Sequence, residues 1–291
     1  MRNVRKADGR TRDAERAGVR ESRPARARKR FGQHFLEPAW VDKLLRAIDP
    51  KPDEAFLEIG PGRGALTRPL AARAKAVVAF EIDRDLAAAL EATAPPNIAI
   101  VEGDFLDATW TVAEQPAGRL RVVGNLPYNV ASPILFKLVD WFRAGLPLRD
   151  ATVMLQREVA DRLTAVPGTR EYGVLTILIG RCASVDRLLT LPPGAFRPAP
   201  KVRSAVVRLQ FHAAESPAKD EALLSALVKS AFTRRRKTLS NALLTFRGAD
   251  PLRPADALAR AGLDGGRRPE TLTIPEWARL SDVYASSRAV L

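Results

Sequence analysis

From Ala55 onward the chain alternates short apolar runs with stretches of helical apolar spacing. The apolar runs are rich in Val, Ile, Leu and Phe, and each is separated from the next by about one helix and two turns. Such alternation predicts a parallel sheet with right-handed crossover helices. The predicted strands are Ala55–Ile59, Ala76–Glu81, Ile98–Val101, Leu120–Gly124 and Ala151–Gln156, with helices such as Leu66–Ala74 and Arg84–Ala92 between them.

The pattern changes in the last third of the chain. Residues Val202–Leu209 alternate like a late, half-exposed strand, and the polar segment Glu215–Asp220 is predicted to be a linker. Everything beyond it has helical spacing, with Pro254 and Pro275 suited to first-turn positions. The predicted helices are Glu221–Thr233, Arg235–Phe246, Pro254–Ala261 and Ile274–Ser286. We therefore predict an α/β domain over residues 29–214, followed by a small all-α domain over residues 215–291.

The charge of the chain indicates a polyanionic partner. Of 291 residues, 47 are Lys or Arg and 33 are Asp or Glu, which gives a net charge of +14 and a pI near 10.6. Residues 1–30 hold 12 basic and 4 acidic residues, or +8, so +6 remains on the rest. Residues 1–28 lack aromatic residues and apolar periodicity, and we predict a disordered basic tail there. An excess this large most often serves nucleic-acid binding.

The same composition narrows the class of protein. A single cysteine, Cys182, excludes an internal disulfide and a cysteine-rich metal site. The sequence shows no apolar run of transmembrane length and no signal-peptide pattern. We expect a reduced, cytoplasmic protein that works away from the membrane and without a metal.

Four residues that are suited to ligand binding lie at a nearly even spacing along the chain. Gly60, Glu81, Asp104 and Asn125 are 21, 23 and 21 residues apart, and each closes or follows a predicted strand. The carboxyl ends of parallel strands meet at one edge of the sheet, where open α/β sheets bind ligands. The glycine-rich turn allows a ligand to approach backbone N–H groups, and Glu81 can accept both hydroxyl protons of a ribose. These features fit an adenosyl group or NAD.

The later members of the series point to a base-binding pocket. Asp104 is placed to meet an adenine amino group, with Phe105 offering a ring face. In the tetrapeptide Asn125–Tyr128, Asn125 supplies a carbonyl acceptor, Pro127 fixes a turn and Tyr128 offers a stacking face. Taken alone, both segments also fit ordinary strand-to-helix turns.

Several motifs together make the chain resemble a known family. The chain is similar to the S-adenosylmethionine-dependent rRNA adenine N6,N6-dimethyltransferases of the KsgA/RsmA type, over roughly residues 28–284. This resemblance implies a Rossmann-like class I methyltransferase domain with a small C-terminal all-α domain. The matching segments are RFGQHFL (30–36), LEIGPGRGALT (57–67), FEID (80–83), GDFLD (103–107), GNLPYNVASPIL (124–135), MLQREVADRL (154–163), FRPAPKVRSAVVRL (196–209) and AFTRRRKTLSNAL (231–243).

The resemblance also assigns roles to residues. It implies that the donor is held by Gln33, His34, Leu36, Gly60, Glu81, Asp104 and Asn125, with Gln33 and His34 closing over its methionine end. Asn125, Leu126, Pro127 and Tyr128 would form the acceptor pocket, and Phe196 would meet the target adenine opposite Tyr128. The basic cluster Arg234, Arg235, Arg236 and Lys237 would contact RNA phosphates.

The implied substrate is a pair of adjacent adenosines in a hairpin loop near the 3′ end of 16S rRNA, in the precursor small subunit, with a monomeric enzyme. Three alternatives remain at this stage. A macrolide-resistance methyltransferase would modify large-subunit rRNA. An NAD-dependent dehydrogenase fits the glycine turn but gives the NLPY and FRPAPKV motifs no role. A ribosome-assembly factor would bind without catalysis.

Overall fold

A seven-stranded, mainly parallel sheet forms the centre of the protein. The computed structural model describes residues 34–109, 118–246 and 252–288. Within them the sheet has the order β4–β3–β2–β5–β6–β9–β7. Its strands are β2 (Ala55–Ile59), β3 (Ala76–Glu81), β4 (Ile98–Glu102), β5 (Leu120–Asn125), β6 (Leu148–Gln156), β7 (Ala183–Leu191) and β9 (Ser204–Phe211). The predicted α/β class is confirmed, and the five strands predicted for the parallel part are all present.

The parallel strands end at one level. Ile59 of β2 pairs with Phe80 of β3 and with Gly124 of β5. Because the register is shared, the residues that follow these three positions lie side by side at the carboxyl edge. The helices that accompany the sheet are α1 (Pro38–Ile48), α2 (Thr67–Ala71), α3 (Arg84–Glu91), α4 (Ala131–Arg143), α5 (Arg157–Leu163) and α6 (Val174–Gly180).

The strand β9 is largely buried, so the prediction of a half-exposed strand over Val202–Leu209 is wrong. β9 runs antiparallel between β6 and β7, so neighbouring strands cover both of its edges. Most of its residues are buried, including Ala205, Val206 and Val207 with no exposed surface. The alternation in the sequence does not reveal this, because it cannot say which strands lie beside it.

A second, short sheet ties the N-terminal segment to the chain beyond β7. Strand β1 (Phe35–Leu36) pairs antiparallel with β8 (Phe196–Arg197), with Leu36 opposite Phe196. This pairing joins segments about 160 residues apart and carries the chain on either side of each strand toward the carboxyl edge of the large sheet.

The C-terminal part is helical and has its own core. It contains α7 (Glu221–Thr233), α8 (Leu239–Ala242), α9 (Pro254–Arg260) and α10 (Ile274–Arg288). The helix predicted over Arg235–Phe246 is shorter, because residues 234–238 form a turn and 243–245 a 3₁₀ turn. The core includes Trp277 and Tyr284, both fully buried, together with Ile177 and Leu178 of α6. Since the opposite face of α6 packs into the sheet core, the domain boundary at residue 214 stays a prediction.

The basic tail of residues 1–28 lies outside the described residues. Among the helices in the described part, none is long and apolar enough to cross a membrane.

A buried arginine joins the first helix to the middle of the sheet. The Arg121 side chain on β5 is 4% exposed, and its Nε donates to Asp150 Oδ2 at 2.9 Å. Its Nη1 donates to Glu54 Oε2 at 2.7 Å and its Nη2 to the Ile48 carbonyl at 2.8 Å. A buried charge is tolerated when its hydrogen-bonding groups are satisfied, as they are here.

We predict that Arg121→Met lowers the free energy of unfolding by about 3–5 kcal/mol, because it leaves Asp150 buried without its closest cation. The matched control is Arg149→Met, whose side chain is 53% exposed although it also contacts Glu54. That change is expected to cost less than about 1 kcal/mol. Urea unfolding of both variants measures the difference, and equal losses would contradict this role for Arg121.

Candidate active site

A cleft opens at the carboxyl edge of the parallel strands. Gly60 follows β2, Glu81 ends β3 and Asn125 ends β5, and all three line the cleft. The even spacing in the sequence therefore corresponds to one site in space. The other side chains that line it come from the segment before α1, the glycine turn after β2, the acceptor turn (Asn125–Tyr128), strands β2 and β6, and the residue after β3: His34, Phe35, Leu36, Glu58, Pro61, Arg63, Ala65, Leu66, Ile82, Leu126, Pro127, Tyr128 and Met154.

The glycine turn and Glu81 form one hydrogen-bonded unit. Gly60 and Gly62 have φ values of 70° and 59°, a region that residues with a Cβ rarely adopt. A Cβ on Gly62 would also lie 3.0 Å from the Phe35 ring. The Gly62 N–H donates to Glu81 Oε2 at 2.9 Å, and the Asp83 N–H donates to Oε1 at 2.9 Å. The turn thus fixes the carboxylate at the edge of the cleft.

Burial raises the pKa of Glu81 above its usual value, although the two backbone donors oppose the shift. The side chain is 3% exposed. Ligand hydroxyls that donate to such a carboxylate stabilise its charged form, because they replace the hydration that is lost on burial.

Glu58 is a second acid in the cleft, and the sequence reasoning missed it. It lies on β2 two residues before Gly60 and is 2% exposed. Its Oε2 atom has no hydrogen-bond partner among the described residues. Burial raises the pKa of Glu58 to about 7; the Thr67 hydroxyl opposes this shift and the nearby Glu81 carboxylate adds to it. An acid inside an otherwise apolar strand was the available signal, since such a residue is rarely left unpaired without a purpose.

The N-terminal segment orients Asn125. Its Nδ2 donates to the His34 carbonyl oxygen at 2.6 Å. Because a carbonyl can only accept, the amide nitrogen must face His34, and the Oδ1 atom faces away from it. Asn125 therefore presents an acceptor oxygen in a fixed orientation at the wall of the cleft.

Tyr128 is held from two sides. Its ring stacks on the His34 imidazole, with centroids 5.6 Å apart and an interplanar angle of 25°. Its hydroxyl is 2.6 Å from Ser204 Oγ, and the His34 Nδ1 atom is 2.7 Å from the Pro198 carbonyl oxygen. Three segments that are far apart in the sequence thus meet at the acceptor turn.

Phe196, predicted to meet the target adenine opposite Tyr128, lies in a buried apolar cluster. Its side chain is 1% exposed and belongs to the apolar cluster that contains Leu36 and the buried face of α1. The β1–β8 pairing draws it inward, because Leu36 is its partner in the short sheet. In this structure Phe196 has no face open to a base, whereas Tyr128 lines the cleft.

Asp104 and Phe105, predicted to meet the adenine amino group and ring, lie in the turn after β4. Asp104 is exposed, accepts the Leu106 N–H at 2.9 Å and is not among the residues that line the cleft. Phe105 is 4% exposed and packs edge-on against Phe80, so it offers no ring face to a ligand. The apolar surface beside Glu81 comes from Ile82, which is 44% exposed.

The remaining predicted residues are Gln33 and the basic cluster. Gln33 lies outside the described residues. Of the basic cluster, Arg234, Arg236 and Lys237 are exposed, whereas Arg235 donates to the Thr169 carbonyl at 2.9 Å and so ties the turn after α7 to the loop between α5 and α6. In the described ranges, no group of three His, Cys, Asp or Glu residues is arranged to hold a metal ion.

Comparison with known proteins places the chain in a family. The chain matches the Ribosomal RNA adenine dimethylase family over residues 25–285. A protein from Aromatoleum aromaticum named Ribosomal RNA small subunit methyltransferase A is 46% identical over 264 residues, which cover 90% of this chain and 95% of that protein. A protein of the same name from Acinetobacter baylyi is 45% identical over 262 residues, covering 88% of this chain and 92% of its own length.

Solved structures agree with the sequence comparison. A dimethyladenosine transferase from Plasmodium falciparum has a TM-score of 0.69 at 25% identity, covering 85% of this chain and 96% of that one. The 23S rRNA methyltransferase ErmE has a TM-score of 0.60 at 29% identity, covering 86% and 99%. The chain therefore belongs to the ribosomal RNA adenine dimethylase family and is an rRNA adenine methyltransferase.

Proposed function

We propose that the protein dimethylates N6 of two adjacent adenosines in a hairpin loop near the 3′ end of 16S rRNA, with S-adenosylmethionine as the methyl donor. It would act in the cytoplasm, as a monomer, on precursor small subunits. The observation that carries the proposal is the fixed Asn125 amide, whose oxygen faces away from His34 beside a cleft that carries two buried acids.

The residues of the cleft fit S-adenosylmethionine. When bound, this donor supplies an electrophilic methyl group on a positively charged sulfonium. Glu81 suits the two ribose hydroxyls, and the exposed Ile82 beside it suits an apolar ring face. The unpartnered Glu58 Oε2 supplies negative charge to a cationic ligand in a place where water is scarce.

The acceptor turn fits an adenine amino group. The N6 lone pair is delocalised into the ring, so N6 is a weak nucleophile. The Asn125 Oδ1 atom and the Leu126 carbonyl would each accept one N6 hydrogen, which favours a pyramidal nitrogen with its lone pair toward the methyl group. A general base is unnecessary, because N6 becomes acidic once it is alkylated. The lowering of the activation barrier then comes from positioning, which can supply roughly 7–11 kcal/mol in favourable cases.

A paired adenine cannot reach such a pocket, so the target must be unpaired or flipped. Tyr128 lines the cleft and is placed for stacking, which is worth about 1–3 kcal/mol per base. The exposed Arg234, Arg236 and Lys237 would contact RNA phosphates from the C-terminal helices.

Relatives named for the small subunit support the choice of 16S rRNA, since they align over about nine-tenths of the chain. The fold is shared with a 23S rRNA enzyme, so the fold alone does not select the subunit. Mass spectrometry of adenosines in unmethylated small subunits and, in parallel, in unmethylated large subunits, after incubation with the enzyme and S-adenosylmethionine, tests the proposal. Dimethyladenosine in 23S rRNA only, or none in either rRNA, would overturn it.

We predict that Asn125→Ala lowers the methylation rate at least 100-fold while RNA binding stays within about threefold, because the change removes an acceptor for N6 and leaves the basic surface intact. Removal of one preorganised hydrogen-bonding group from an active site typically has an effect of this size. Single-turnover methylation and filter binding measure the two quantities. Near-normal methylation by this variant would contradict the role assigned to Asn125.

We predict a pH-dependent effect of Glu58→Gln on the binding of S-adenosylmethionine. Below pH 7 the Glu58 carboxyl is largely protonated, and above it the carboxylate attracts a cation. The affinity of the wild type relative to Glu58→Gln should therefore increase as the pH rises from 6 to 8, as measured by calorimetric titration. The same ratio at both pH values would contradict a charge contact.

Because the pKa of Glu58 is raised, we also predict that the stability of the protein without the donor depends on pH. Because the folded-state pKa lies above the usual 4.5, the free energy of unfolding of the wild type should fall relative to Glu58→Gln as the pH rises from 4.5 to 7. The full difference is roughly 3 kcal/mol. Glu81 is present in both proteins, so the comparison isolates Glu58.

A further inference from the structure

The segment between β8 and β9 carries two basic side chains that are not engaged by other described residues. Lys201 and Arg203 are exposed, and in the described part of the chain neither side chain has a hydrogen-bond or ion-pair partner. The neighbouring Arg197 is engaged, because its Nε lies 2.8 Å from Glu37 Oε1. We call Lys201, Arg203 and the adjacent Arg157 the cationic rim.

The rim lies beside the acceptor turn because both ends of its segment are fixed there. At one end the Pro198 carbonyl contacts the His34 ring, and at the other Ser204 contacts the Tyr128 hydroxyl. Lys201 is three residues from each anchor, so its Cα is at most about 11 Å from either.

Arg157 joins the rim from the first turn of α5. Its backbone N–H donates to the Arg203 carbonyl at 3.0 Å, and its side chain is 53% exposed. The nearby acids are Asp161, 3.9 Å from Arg157, and Glu158, which pairs with Arg162. An exposed pair at 3.9 Å contributes little, so the rim keeps its positive charge.

We propose that the cationic rim binds the phosphodiester groups that flank the flipped adenosine. This inference rests on the proposed function and extends it to a second set of contacts. A base that leaves its stack brings its own phosphates to the mouth of the pocket, and unpaired Arg and Lys side chains form charge-assisted hydrogen bonds with phosphate oxygens. The rim would thus hold the target strand, while the Arg234–Lys237 cluster would hold RNA farther from the chemistry.

The test is the double substitution Lys201→Glu with Arg203→Glu, compared with Arg46→Glu with Arg73→Glu. Both pairs change the net charge by the same amount, and all four residues are exposed. Arg46 is in the last turn of α1, and Arg73 precedes β3, so the control pair lies at the amino edge of the sheet. The probe is unmethylated small subunits, and the readouts are kcat/KM for methylation and its dependence on salt.

The rim variant should lose at least tenfold in kcat/KM at 0.1 M salt, with a salt dependence reduced by about one to two phosphate contacts. Its affinity for S-adenosylmethionine should be unchanged, and the control pair should lose less than threefold. Equal losses and equal salt slopes in both variants would overturn the rim. If the wild type binds the donor but methylates no small subunit, the proposed function fails instead, and direct subunit binding still compares the two pairs.

A different observation concerns the Tyr128–Ser204 contact. Ser204 begins β9 and has no exposed surface, with Gln156 and Leu191 as its strand partners. Its Oγ is 2.6 Å from the hydroxyl of Tyr128, which stands on a turn outside the sheet. We infer that Ser204 is a positioning residue that fixes the Tyr128 ring against the rigid sheet, so that the ring plane is set before the base arrives.

Tyr128→Phe and Ser204→Ala each remove this hydrogen bond and keep the ring. Each should lower the methylation rate about three- to tenfold and raise the ratio of monomethyl- to dimethyladenosine, with unchanged affinity for the donor. The double variant should be no slower than either single one, because all three lack the same bond.

Multiplied losses in the double variant would overturn this role, as would an unchanged product ratio. If Ser204→Ala proves unstable, Tyr128→Phe decides alone, since full activity in that variant shows that the hydroxyl positions nothing.

Discussion

The shared register of three parallel strands is the constraint on which the cleft depends. Because β2 pairs in step with β3 and β5, the strands end together, and their next residues become neighbours. Those residues are Gly60, Glu81 and Asn125. A slip of one residue in either pairing would turn an essential side chain to the opposite face of the sheet. The hydrophobic core that fixes the register therefore also aligns Gly60 and Glu81 with Asn125 at one edge of the sheet.

Two buried charges show how the protein separates stability from function. Arg121 sits at the amino side of the sheet and is fully engaged by acids and carbonyls. Glu58, on the neighbouring strand, is equally buried, yet one of its oxygens has no partner in the described residues. The first group holds α1 to the sheet. The second is a cost to the free protein that a cationic ligand would offset, which is why such groups cluster at functional sites.

The acceptor turn is shaped by contacts from outside its own segment. The His34 carbonyl sets the direction of the Asn125 amide, the His34 ring covers Tyr128, and Ser204 anchors the Tyr128 hydroxyl. The short β1–β8 sheet brings two of these segments together. The turn therefore depends on the N-terminal segment and on β9 as much as on its own Pro127.

The sequence by itself determined the α/β class, the parallel strands and the even spacing of the cleft residues, because apolar periodicity and strand length are local properties. It also marked Asn125–Tyr128 as a pocket through its motifs. Only the tertiary structure decided which residues have a free surface. Phe196 and Phe105 are aromatic in sequence but buried in space, Asp104 caps its own turn, and Arg235 ties two segments together. Apart from the Asp104 cap, these burials and hydrogen bonds depend on segments 25 to 160 residues away, and no local pattern records them.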